Sequence, residues 1–147
     1  MRKRFTFSLQ KVLDYKAGLQ EEAQLELARA RKKYQAQIAL IKSLEDELAQ
    51  AREEISKKEN VTQGRIWLWN RYIERLNFDQ KSATRKLKEL AREVSLRRQD
   101  LLEKTKDKKI LEKLKVNQKI RFYHEQEKEE QKEYDEMAVV RYKPEAV

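Results

Sequence analysis

An all-α fold, an antiparallel two-helix coiled-coil hairpin with a longer second helix, is what this sequence predicts, and three observations carry the prediction. Helix breakers are almost missing, since the 147 residues include Gly 2 and Pro 1, and that proline is Pro144. Charged residues make up 41% of the chain and hydrophobic ones 39%, with Lys, Glu, Arg, Leu and Ala prominent, the composition of long helices rather than of a layered domain. Finally, two long stretches of seven-residue apolar spacing are separated by the single turn-like run Asn60-Val61-Thr62-Gln63-Gly64. The whole chain reads as one coiled-coil domain, with helix 1 over about 8–59, a tip over about 60–64, helix 2 over about 65–137 and a flexible tail over 138–147.

The first helix follows a basic start and the pair Phe5 and Phe7, with Ser8 placed to cap it ahead of Leu9, Val12 and Leu13. Leu13, Gln20, Leu27, Tyr34, Ile41, Leu48 and Ile55 then share one heptad position. Leu9, Lys16, Ala23, Ala30, Gln37, Leu44 and Ala51 share the other. Large residues alternating with small ones let two helices approach closely, while Lys16, Gln20 and Gln37 weaken the seam and fix its register. Gly18 costs about 1 kcal/mol against Ala but does not end the helix.

At the tip, Asn60 suits a left-handed helix end and Thr62 suits the start of the next helix, where its side-chain oxygen accepts a backbone N–H bond. Beyond it Ile66, Ile73, Gln80, Leu87, Val94 and Leu101 occupy one heptad position, and Trp69, Leu76, Ala83, Leu90 and Arg97 the other. The apolar seam decays at Lys104 and Lys108. At 1.5 Å per residue the helices span roughly 75 Å and roughly 110 Å, so the second outruns the first. A turn near residue 62 sets Leu9 opposite about residue 115, which leaves 116–137 with no internal partner but the Phe5/Phe7 arm.

Several function classes fall away on composition. Cys 0 excludes disulfides and thiol chemistry, His124 stands alone as histidine, and no glycine-rich phosphate loop is present. No cofactor, metal or catalytic activity is expected. The apolar runs are far shorter than the roughly 20 residues of a membrane helix, and neither a signal peptide nor a span is expected. The net charge of +9 favours acidic partners, but it is arranged in blocks. Lys104, Lys106, Lys108, Lys109, Lys113, Lys115, Lys119 and Arg121 run directly into Glu125, Glu127, Glu129, Glu130, Glu133, Asp135 and Glu136, an arrangement that suits docking to structured proteins.

Two surfaces stand out. Ile66-Trp67-Leu68-Trp69-Asn70-Arg71-Tyr72-Ile73 cannot place every apolar side chain on one seam, so some aromatic surface is exposed beside Arg71 and Arg75. A bulky plug closing the hairpin and a partner-binding patch are both consistent with it. The basic span 104–121 is either a solvated face or a docking surface. A rival reading makes the chain a nucleic-acid adaptor through Arg85, Lys86, Lys88, Arg92, Arg97 and Arg98, but none of the standard nucleic-acid motifs is present and no nucleic acid is expected as partner. A homodimer of extended chains is a second rival.

Two segments carry a family resemblance. Phe5-Thr6-Phe7-Ser8-Leu9-Gln10-Lys11-Val12-Leu13-Asp14-Tyr15-Lys16 with Glu21-Glu22-Ala23-Gln24 resembles the N-terminal signature of the FliJ family of the bacterial flagellar type III export apparatus. Leu111-Glu112-Lys113-Leu114-Lys115, with Glu129-Glu130-Gln131-Lys132-Glu133-Tyr134-Asp135-Glu136-Met137-Ala138, is similar to its C-terminal one. The resemblance implies a hairpin like the gamma-subunit stalk of rotary ATPases. It also implies as partners the hexameric export ATPase FliI, the export gate protein FlhA and export chaperones, at the cytoplasmic face of the cell membrane. The equivalent stalk of a virulence secretion system is an alternative with the same mechanism. By position Trp69, Tyr72 and Leu76 inherit the gate contact, and if Trp69 and Leu76 are seam residues, Tyr72 and Trp67 carry it. The far end, including Lys113, Lys115, Lys119, Arg121, Glu129, Glu130 and Glu133, is assigned to the ATPase ring.

Overall fold

The structure is a computed structural model, and it describes residues 3–57 and 62–142. Two helices make up the fold, α1 (Gln10–Ser56, 47 residues) and α2 (Gln63–Arg141, 79 residues), and no strand occurs among the described residues. They pack against each other, and the second is the longer. Asn60 and Val61 of the expected tip lie outside the described residues.

Helix ends follow local chemistry. Thr62 opens α2, its carbonyl accepting from the N–H groups of Arg65 (3.0 Å) and Ile66 (3.2 Å) and its Oγ1 from Arg65 N–H at 3.4 Å. The Arg65 N–H, one of the groups that a helix start leaves unpaired, thereby finds both of its acceptors at one residue. At the other end α1 starts at Gln10 rather than at Ser8, because the Phe7 carbonyl accepts from Gln10 N–H (3.1 Å) in a turn and Leu9 accepts the first helical bond, from Leu13 (2.9 Å). The helix α2 continues past residue 137 to Arg141, so Ala138, Val139 and Val140 are helical where a flexible tail was expected. Arg141 in the last turn suits the negative end of the helix dipole.

The chain divides into two compact units, Glu21–Leu102 and Met1–Gln20 with Glu103–Val147. In the first, an antiparallel pairing is fixed by Gln37 Nε2 donating to the Ala83 carbonyl (2.9 Å), by Arg97 with Glu26 (3.8 Å) and by Tyr72 with Glu47 (3.4 Å). The buried residues of this stretch of α1, Ala23, Leu27, Ala30, Gln37, Leu48 and Ala51, all stand at the two heptad positions. Around Leu48, Ala51 and Leu76, with Leu44, Trp69 and Ile73 against them, lies the apolar cluster. Ala51, 1% exposed, shows why the small residues matter, since a larger side chain there would hold the helices apart.

The second unit pairs its helices by different means. Gln20 Nε2 donates to Thr105 Oγ1 (3.0 Å), Lys16 meets Asp107 (3.7 Å), and Lys115 Nζ donates to Gln10 Oε1 (2.7 Å). Lys104, Lys108, Leu111 and Lys115 are half-buried, so pairing continues where the apolar pattern fades. Lysine stems cover apolar surface while their ammonium groups reach water or a carbonyl-type partner. Past Lys115 the extended arm takes over: Phe7 is 7% exposed and the Phe5 ring lies 5.7 Å from that of Phe122.

Candidate functional site

The tip-proximal surface is built by the first turns of α2. Trp67 (60% exposed), Leu68 (61%) and Tyr72 (41%) face outward, as the crowding of this cluster predicts. Arg71 stacks its guanidinium 5.2 Å from the Trp67 ring centre, which holds both side chains in a defined place. Trp69 is half-buried and meets Tyr72 edge-on at 5.9 Å, while the Tyr72 hydroxyl reaches Glu47. Leu76 is 4% exposed inside the apolar cluster. Of the four residues set at the gate contact, Trp67 and Tyr72 are therefore accessible, and Trp69 and Leu76 serve the seam.

The far surface is the outer part of α2. Lys113, Lys119, Arg121, Glu129 and Glu133 are exposed, whereas Lys115 is half-buried and held by Gln10. The structure brings Glu129, Glu130 and Glu133 together with Lys3, Phe122, Glu125 and Gln126 around a groove of about 360 Å³. Lys113, Lys119 and Arg121 do not join that groove. Tyr123 packs edge-on against Phe122 at 5.5 Å and is 44% exposed. From Gln131 to Tyr142 every residue is exposed.

Phe122, where the Phe5 ring meets α2, was missed by sequence reasoning, although a signal was present. It follows Leu101, Lys108 and Lys115 at seven-residue spacing, which is the seam position continued through two lysines. No group of three or more His, Asp or Glu residues that could hold a metal ion occurs among the described residues. Likewise, no helix of the described residues is long and apolar enough to cross a membrane.

Both distinctive surfaces are carried by α2, and the molecule is by class a two-helix coiled-coil protein. More particularly, the chain belongs to the FliJ family: the family described as flagellar FliJ protein matches it over residues 5–146. It is accordingly a component of the flagellar export apparatus. No curated protein and no solved structure matches the chain.

Proposed function

We propose that this chain is a non-enzymatic stalk that docks the outer end of α2 in the ring of the export ATPase FliI, promotes its assembly or activity, and presents the tip of the hairpin to the gate protein FlhA. Export chaperones are further partners, and the chain works at the cytoplasmic face of the membrane through these contacts. The observation that supports this reading is the outer part of α2: beyond the Phe5/Phe122 contact its described residues other than Gln126 and Glu130 are exposed, and the basic block that ends at Arg121 runs there into an acidic one. A helix polar on most sides gains little alone, and a ring of subunits can cover it from several directions. Lys113, Lys119, Arg121, Glu129, Glu130 and Glu133 are the docking residues, with Lys115 acting indirectly through its hold on Gln10. Trp67 and Tyr72 make the gate contact, braced by Arg71 and Glu47.

The test is hydrolysis by the purified ATPase with this chain added. The variant K113E/K119E/R121E is expected to lose most of the stimulation with helix content unchanged, and full stimulation by it would remove the outer end as the docking site. The variant W67A/Y72A is expected to stimulate normally and to lose binding to the gate protein.

A further inference from the structure

The helix pair ends sooner than the cover on α2 does. Lys115 donates to Gln10, the first residue of α1, yet Phe122, Gln126 and Glu130 farther out are half-buried too, while every other described residue from Val116 to Tyr142 is exposed. Seven, four and four residues apart, Lys115, Phe122, Gln126 and Glu130 share one side of the helix. Among the described residues, the segment ahead of α1 is what reaches that side. The Phe5 ring meets that of Phe122 at 5.7 Å, Phe7 is buried, and Lys3 borders the groove that also holds Glu125, Glu129, Glu130 and Glu133. Lengths agree with this placement: residues 3–9, drawn out at about 3.3 Å each, reach about 23 Å, or about fifteen residues of helix, which from Lys115 is about residue 130.

The segment is attached by side chains. Among the described residues no backbone–backbone hydrogen bond joins it to α2, so lifting it breaks ring contacts and an attraction between Lys3 and carboxylates and leaves both helices whole. It also lies over Glu129, Glu130 and Glu133, the acidic part of the surface assigned above to the ATPase ring. A partner that brings cations to these carboxylates meets Lys3 already there. Lifting the segment would offer that partner the Phe122 ring as well as the charges.

We propose that residues 3–9 are an autoinhibitory strap, which covers the Phe122, Gln126 and Glu130 face when closed and lifts when a partner takes that face. The strap regulates the docking surface of the stalk reading, and its inhibitory role rests on that reading. Its position on α2 does not.

Two readouts keep the strap and the docking apart. The chain has Cys 0, so Q126C introduces a single thiol beneath the strap, and its rate of labelling by a small maleimide reports cover in the absence of any partner. Adding F5A/F7A to Q126C should raise that rate several-fold. Adding K3E, which sets a like charge over the glutamates and keeps both phenylalanines, should raise it in the same direction. Unchanged rates in both would overturn the strap. In ATPase stimulation, F5A/F7A and K3E should each reach half-maximal effect at a several-fold lower concentration than the intact chain, with helix content unchanged. Conversely, F5C/F122C joined by a short reducible cross-linker should lose most of its stimulation and regain it on reduction. Equal half-maximal concentrations, or full stimulation by the cross-linked chain, would overturn the inhibition. Altered labelling rates with no stimulation by any form, the intact chain included, would instead overturn the docking reading and with it the inhibitory role, leaving the strap as a cover alone.

Discussion

Gly18 and Leu76 mark the two extremes of what one side chain does in this hairpin. Gly18 is an exposed residue in mid-helix, and a Cβ built on it meets nothing within 4 Å. Replacing it by alanine removes conformational freedom from the unfolded chain without a clash, so G18A should stabilise by about 0.5–1 kcal/mol in thermal or denaturant unfolding. Leu76 is the opposite case, 4% exposed against Leu48 and Ala51. Truncation leaves a cavity that two helices close only partly, and L76A should cost about 2–4 kcal/mol. Loss of gate binding in that variant would consequently report unfolding near the tip as much as a lost contact, which is why W67A/Y72A is the cleaner probe. Gln37 lies between these extremes. Buried at 6% and bonded to the Ala83 carbonyl, it is satisfied, and it ties one register of α1 to one register of α2.

At the scale of the element, α2 depends on its two ends. Thr62 supplies the start, and T62A should lower stability by about 1 kcal/mol and loosen the first turn beneath Trp67, as amide exchange at Arg65 and Ile66 would show. The α1 seam was legible in the sequence, because most of its heptad positions hold apolar or small residues and every buried residue of α1 stands at one of them. The outer seam of α2 was legible only as far as Leu101, because period detection weighs apolar atoms and the pairing from Lys104 to Lys115 rests on lysine stems and cross-helix hydrogen bonds. Leu76 shows two signals in tension: by family position it falls at the gate contact, by heptad it falls on the seam, and its burial follows the heptad.

For the molecule as a whole, stability should be graded along the helices rather than uniform. Residues 37–51 and 69–83 contain the apolar cluster and the Gln37 contact, so opening there exposes the most apolar surface. Residues 103–115 are paired through polar contacts of the kind that contribute little each. Past Phe122 only Gln126 and Glu130 are half-buried, and from Gln131 onward every described residue is exposed. Amide exchange of the dilute isolated chain should therefore be slowest near Leu48 and Leu76, intermediate over 103–115 and fastest over 131–141. Removing the arm contact by F5A/F7A should speed exchange around Phe122 and leave the Leu48 region unchanged, since the aromatic contact and Phe7 burial act on the outer unit alone. Uniform protection along α2 in the dilute chain would mean that its outer end is already covered, and the ring-docking reading would have to be given up.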